Sequence, residues 1–444
     1  MTDNTPASTA ASTALLTDMY ELTMLQAALR DGTAHRQCSF EVFTRRLPNE
    51  RRYGVVAGTA RVLDAVRDFR FSEEQLAELD ELDFLDAETR DFLANYRFSG
   101  QIDGYREGEI YFPDSPLLTI RGTFAETVIL ETVILSILNH DSAVASAAAR
   151  MVVAAAGRPI IEMGSRRTHE QSAVAAARAA YLAGFDSTSN LEAAARYGVP
   201  AGGTSAHAWT LLHVDEDGKP DEKAAFRSQI EAQGPGTTLL VDTYDITTGV
   251  ENAIEVAGTA LGAVRIDSGD LGVHARAVRA QLDGLGAFDT KIVVSSDLDE
   301  FAIAALRSEP VDTYGAGTSV VTGSGAPTAG LVYKLTSVDG HPVAKRSSHK
   351  ASHGGAKRAL RACRATGTAV EEVAYPFDEQ APDLGLLQAT ELTVPLMRDG
   401  VVVDDLPTLQ DSREHLAAQL VTLPWEGLAL SRDEPALSVR FVNL

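Results

Sequence analysis

The chain is short of positive charge. It sets 39 Lys and Arg against 62 Asp and Glu, a formal net charge of −23 over 444 residues. A duplex nucleic-acid binder needs a basic footprint, so this balance argues against nucleic acid as a partner, though not against a local basic pocket. Cysteine is nearly missing: Cys38 and Cys363 are too few for a disulfide framework, and a reduced cytoplasmic setting is expected. There is no run of about 18 apolar residues free of charge, so no membrane span is expected. The opening MTDNTPASTAASTALL lacks the positive start and long apolar core of a signal peptide, and 1–14 reads as a disordered tail. No His/Cys cluster has zinc spacing, and no Gly-x-Ser-x-Gly comes with matching triad logic.

What is present falls into three parts. Residues 15–140 mix helices and strands. A helix over 17–29 has Asp18 as its cap, Glu21 as the capping partner and Gly32 at its end. A strand over 39–44 leads into Arg45-Arg46, helical periodicity covers 58–69 and 72–82, and 124–156 reads as one or two buried Ala-rich helices. Residues 141–344 then alternate regularly. Strands are expected at 159–163, 184–187, 199–202, 238–242, 262–267, 291–295 and 311–315, with 331–335 as a possible eighth. Helices are expected at 170–183, 191–197, 222–232, 248–258, 271–283 and 298–308. This rhythm means parallel strands with helices outside. It predicts an α/β fold, an irregular TIM-like barrel carrying the active site, with an open doubly wound sheet as the rival. Residues 345–444 mix strands with one helix near 412–420 and are expected to pack on the N-terminal segment as a second, α+β domain. His349 and His353 fall in a basic stretch and read as loop residues.

The strand ends carry the chemistry. In order they present Arg166 and Arg167; Thr188, Ser189 and Asn190; Thr204 and His207; Asp242 and Thr243; Arg265, Asp267 and Asp270; Ser295 and Ser296; and Gly315, Gly317 and Thr318. Gly, Ser and Asp make turns everywhere, but seven such sets on one rim point to a site. Gly315-Ala316-Gly317-Thr318 and Ser295-Ser296-Asp297 suit a phosphate, helped by a helix N-terminus near Leu298, and read otherwise as tight turns. Asp267 and Asp270 suit magnesium and ribose hydroxyls, with helix capping as the plain alternative. Arg166 and Arg167 suit a carboxylate or pyrophosphate, or else a surface ion pair. His207 follows a small-residue loop and can act as base or phosphate acceptor. The residues by themselves describe an enzyme for a phosphorylated, anionic, sugar-like substrate with magnesium.

The same residues resemble the nicotinate phosphoribosyltransferase family. The likeness runs through 16–24 (LTDMYELTM), 40–46 (FEVFTRR), 162–167 (EMGSRR), 203–207 (GTSAH), 242–245 (DTYD), 265–271 (RIDSGDL) and 315–322 (GAGTSVVT). It implies an enzyme of NAD biosynthesis that joins nicotinate to phosphoribosyl pyrophosphate with coupled ATP hydrolysis, as a homodimer with shared sites. By resemblance, Tyr20 stacks on the pyridine ring of a neighbouring subunit, and Thr204 and Arg265 bind nicotinate. Arg166 holds the leaving pyrophosphate. Ser295, Ser296 and Thr318 hold the 5′-phosphate, and His207 is the phosphorylated histidine. Arg167, Ser189, Asp242, Asp270 and Gly317 complete the substrate-binding set, and Asp267 is the magnesium candidate. Two rivals stay open. A nicotinamide-using relative has Arg265 against it. A barrel lyase for a sugar phosphate lacks a Schiff-base lysine at the seven ends; Lys334 is the nearest.

Overall fold

A parallel sheet covered on both faces is built from short, mostly apolar runs, and residues 160–316 supply them. The structure is a computed structural model describing residues 12–345 and 353–444; His349 and residues 1–11 of the expected tail lie outside the described residues. It divides into two compact units: residues up to Ala143 together with Thr328–Leu444, and Val144–Pro327.

Within Val144–Pro327, six parallel strands line up in the order Ser187–Thr188, Ile160–Glu162, Thr313–Ala316, Lys291–Ser295, Ala263–Ile266 and Thr238–Leu240. Val264, Ile266, Ile292 and Val294 are fully buried in it. The Ala-rich helix Glu170–Leu182 turns Ala173, Ala176, Ala177, Ala179 and Ala180 inward, small side chains that allow close packing. The α/β fold with a parallel sheet is as expected, but the irregular TIM-like barrel does not close: the sheet is a half-barrel. The expected strand at 199–202 contributes a single bridge, Thr188 to Ala201. Pro200 lacks an N–H for a ladder, and Gly202-Gly203 favours no extended run.

The expected eighth strand lies elsewhere. Leu331–Val338 pairs antiparallel with Gln37–Thr44, placing Leu335 opposite Phe40. Tyr333 stacks on Phe40 at 4.8 Å between ring centroids, and its hydroxyl donates to the Thr127 carbonyl at 2.8 Å. Residues 328–344 therefore belong with the first unit, in a seven-stranded antiparallel sheet. A four-stranded sheet in the same unit holds Lys357–Cys363 and Ala369–Pro376 side by side. Its buried cations are paired: Lys357 with Glu41 at 2.8 Å, and Arg361 with Glu109 at 2.8 Å and Glu372 at 2.5 Å.

Phe124–Val128 and Glu131–Ala155 form two helices. By length and composition this stretch could cross a membrane, with a mean hydropathy of 1.4, but 61% of the apolar window is buried against protein. Asp141 within it is fully buried and paired with Arg61 at 2.7 Å, as a core helix requires.

The N-terminal helix runs Met19–Asp31 and ends at Gly32 in the left-handed region, φ +81°. Asp18 stands at its N-cap without a side-chain cap bond. Glu21 does not close a capping box, because it is turned inward. It accepts from the Thr132 amide at 3.0 Å and from the hydroxyls of Thr17 and Thr132.

Candidate active site

The loop after Ile160–Glu162 is a tight turn, closed by the Arg167 amide on the Gly164 carbonyl at 2.8 Å. Only glycine fits at 164, since a Cβ there would lie 2.1 Å from Val321 Cγ1 and 2.8 Å from Glu162 Oε1. Arg166 and Arg167 project from this turn, exposed. Both make no ion pair among the described residues, so the surface-pair alternative is not what is seen.

Three and four strands further across the sheet, the carboxylates meet. Asp242, nearly buried, accepts on Oδ2 from the Asp267 amide at 2.8 Å and the Ser268 hydroxyl at 2.7 Å. Its Oδ1 is buried without a partner. Asp267 accepts from the Ser295 hydroxyl at 2.5 Å. The strand ends of Thr238–Leu240, Ala263–Ile266 and Lys291–Ser295 are thus tied by side chains as well as by the ladder. Ser295 is buried and engaged with Asp267, while Ser296 is exposed.

Arg265 points into the same region. Its Nη2 donates to the Ser205 carbonyl at 3.0 Å, and Nε is buried without a partner. Burial pulls its pKa down from the ordinary value; the Asp267 and Asp242 carboxylates work against this, and the Arg166 guanidinium adds to it. Arg265, Arg166, Asp242 and Asp267 therefore share one electrostatic neighbourhood.

His207 opens the helix His207–Leu212, which periodicity did not reveal. Its Nδ1 lies 3.1 Å from the Thr243 hydroxyl, and its Nε2 lies 3.9 Å from Asp267 Oδ2. Thr204 and Ser205 are half-buried in the loop that leads to it. On the other side, Thr313–Ala316 ends at Gly317, which precedes the short helix Thr318–Val321. Thr318 donates to Asp297 at 3.3 Å. A Cβ on Gly315 would lie 2.8 Å from Met163 Sδ, so small residues here are a packing requirement.

Asp270 is exposed and caps the helix Leu271–Gly284, accepting from the Val273 amide at 3.0 Å. The helix near Leu298 begins only at Glu300 and has six residues. Asp299 already caps it, accepting from Phe301 and Ala302 at 3.0 and 2.8 Å, so its N-terminus offers little field to a phosphate. Ser189 is exposed, and its amide donates to the Glu162 carbonyl at 2.9 Å. Tyr20 belongs to the first unit. It is 45% exposed, and burial of its hydroxyl together with the Glu131 carboxylate pushes its pKa up to about 12. Sequence reasoning placed Thr243 at its strand end without seeing that it holds His207, and it missed Glu162, for which a carboxylate as the last residue of a buried strand was the available signal.

Cations, carboxylates and a histidine at the carboxyl ends of parallel strands define a class: an α/β enzyme for an anionic, phosphorylated substrate. Comparison with known proteins narrows this. Residues 15–139 match the nicotinate phosphoribosyltransferase (NAPRTase) N-terminal domain, and 159–369 match the nicotinate phosphoribosyltransferase (NAPRTase) family. A nicotinate phosphoribosyltransferase of Mycobacterium tuberculosis is 62% identical over 430 residues, covering 96% of this chain and 95% of that protein. One from Bacillus subtilis is 35% identical over 342 residues, covering 74% and 67%. The crystal structure of human nicotinic acid phosphoribosyltransferase superposes with a TM-score of 0.82 at 27% identity, covering 96% of this chain and 98% of that one. The chain belongs to the nicotinate phosphoribosyltransferase family.

Proposed function

We propose that the protein joins nicotinate to 5-phosphoribosyl 1-pyrophosphate, giving nicotinate mononucleotide and pyrophosphate, a step of NAD biosynthesis. The observation that carries this reading is the strand-end cluster of Arg265, Asp242, Asp267 and Arg166, in a chain related to these enzymes along 96% of its length. The pyridine nitrogen is unprotonated near neutral pH and needs no base. It attacks the ribose C1; the bond from C1 to the pyrophosphate oxygen breaks, and its electron pair leaves with pyrophosphate. Positive charge develops on the sugar, which nearby carboxylates favour. Arg166 meets the leaving pyrophosphate, and the Gly317–Thr318 turn the 5′-phosphate. Most of the acceleration then comes from positioning.

Arg265 supplies the preference for the acid over the amide, because its guanidinium faces the nicotinate carboxylate. A lyase reading has nothing to stand on here: Lys334 pairs with Glu131 in the first unit.

Magnesium fits this site. No group of three or more His, Cys, Asp or Glu gathers as a cage among the described residues. However, magnesium beside phosphates commonly takes only one or two carboxylates and keeps its waters. Asp267 and the unpartnered Oδ1 of Asp242 are the residues that would hold it. When bound, the ion supplies charge neutralisation for the departing pyrophosphate.

ATP is the co-substrate in this reading, and His207 its phosphate acceptor: Thr243 anchors Nδ1 and leaves Nε2 toward Asp267. The assembly is a homodimer in which Tyr20 serves the neighbour's site. Leu16, Met19, Tyr20 and Met24 lie exposed along one stretch, a face that supports coverage by a second copy. The setting is cytoplasmic, in keeping with two free thiols. The test is product formation by purified protein from nicotinate and phosphoribosyl pyrophosphate, with and without ATP. Absence of nicotinate mononucleotide under both conditions overturns the reading.

A further inference from the structure

Glu162 is the last residue of a buried strand and is 1% exposed. Nothing cationic pairs with it among the contacts of the described residues. Instead it collects donors from two different loops. Its Oε1 accepts from the Gly164 amide. Its Oε2 accepts from the Thr188 hydroxyl at 2.5 Å. Thr188 Oγ1 in turn accepts from the Asn190 amide at 3.0 Å, and Asn190 Nδ2 donates to Ser165 Oγ at 3.0 Å. The ring closes on the loop where it began: Glu162, Thr188, Asn190, Ser165. The Ser189 amide adds a main-chain bond to the Glu162 carbonyl at 2.9 Å.

The other side of Gly164 is equally fixed. A Cβ there would be 2.1 Å from Val321 Cγ1 and 3.0 Å from the Gly317 carbonyl. The Met163 amide donates to the Ala316 carbonyl at 2.8 Å. Gly164 is therefore held between the Glu162 carboxylate and the turn that begins the helix Thr318–Val321. Arg166 emerges two residues after Gly164, and Thr318 one residue after Gly317.

We infer that Glu162 is a positioning residue for phosphoribosyl pyrophosphate: its carboxylate fixes the Gly164–Arg167 turn against the Gly317–Thr318 turn and so sets the span between the pyrophosphate and 5′-phosphate subsites. This rests on the reaction proposed above. Burial without a cation pushes the carboxyl's pKa up, and the bonds from Thr188 and Gly164 oppose the rise. Glutamine at 162 keeps the volume but has one acceptor atom for two donors. It can keep the Gly164 amide only without the charge, and its NH2 can meet Thr188 only by reversing that bond, which takes the acceptor away from the Thr188 proton.

The test uses the full chain with Glu162→Gln, Thr188→Val and the double variant. Steady-state kinetics and calorimetric titration with inorganic pyrophosphate and with phosphoribosyl pyrophosphate are measured for each. Losing a charge-assisted bond at a preorganised turn should raise KM for phosphoribosyl pyrophosphate about tenfold and weaken pyrophosphate binding by a similar factor. KM for nicotinate should stay within about twofold, because Arg265 and Thr204 lie on other loops. The double variant should lose much less than the product of the two single losses, since both cut one ring. If Glu162→Gln fails to fold, the Thr188→Val split between the two substrates decides. Equal losses for both substrates, or none, overturn the positioning role. If the unaltered protein binds neither phosphate ligand and forms no product, the proposed function fails instead, and the two failures are distinguishable.

Discussion

Replacing Arg265 with alanine tests how the site tells an acid from an amide. The side chain lies in the strand Ala263–Ile266, held by ladders to Lys291–Ser295 and Thr238–Leu240, so its truncation should leave the backbone in place. Its Nη2 donates to the Ser205 carbonyl at 3.0 Å, and its Nε is without a partner and open to a ligand. A nicotinate carboxylate meeting this fork gains two charge-assisted bonds, each worth about 1.5–3 kcal/mol. Part of that is offset when water enters the truncated pocket and when the Ser205 carbonyl is released to solvent. A net loss of about 2–4 kcal/mol is expected, which is roughly 30- to 1000-fold in kcat/KM for nicotinate. Nicotinamide brings no carboxylate to the site, so its rate, expected to be the lower of the two, should change less than about fivefold. The assay compares both pyridines with saturating phosphoribosyl pyrophosphate, with calorimetric pyrophosphate affinity as the control for an intact phosphate site. An unchanged preference for nicotinate in Arg265→Ala refutes the assignment. So does an equal loss for both pyridines with normal pyrophosphate binding.

Three further outcomes follow from the same geometry. His207→Asn should retain slow, ATP-independent formation of nicotinate mononucleotide but lose ATP stimulation and ATP hydrolysis, because the ring-nitrogen attack needs no proton transfer. Product and phosphate release measured together decide this, and a variant that still hydrolyses ATP in step with product contradicts it. Mixing Tyr20→Ala subunits with Arg265→Ala subunits should restore part of the activity if the site is shared in a dimer; a fully active monomer at assay concentration removes the idea. Gly164→Ala should destabilise the protein by about 1–3 kcal/mol, the usual cost of overpacking, because the new methyl lies 2.1 Å from Val321 Cγ1. A denaturation midpoint equal to that of the unaltered protein would mean the turn is looser than described.

Much of the parallel sheet can be read from the chain, because buried parallel strands are short apolar runs separated by helical periodicity. Its closure cannot. Whether 199–202 makes a full strand depends on Pro200 and on neighbours distant in sequence, and in the structure it makes one bridge. Leu331–Val338 alternates as well for one sheet as for the other; only its pairing with Gln37–Thr44, some 290 residues earlier, settles its place. Among the strand-end residues, Asp267 and Asp270 are the same by type, and only position before the helix from Leu271 points to Asp270 as the cap and Asp267 as the site residue. The structure separates them: one receives Ser295 beside His207, the other caps a helix. Glu162 carries no spacing signal, since its partners Thr188 and Gly164 are ordinary turn residues until folding brings their donors to one carboxylate. His207–Leu212 is too short for periodicity to show, yet it orients the imidazole.

The central claim is the reaction itself. Purified protein incubated with nicotinate and phosphoribosyl pyrophosphate, with ATP present or withheld, should release pyrophosphate and nicotinate mononucleotide in equal amounts. ATP should stimulate the rate, and nicotinamide should serve poorly. Pyrophosphate release without the nucleotide, or no turnover of nicotinate under any of these conditions, would contradict the account.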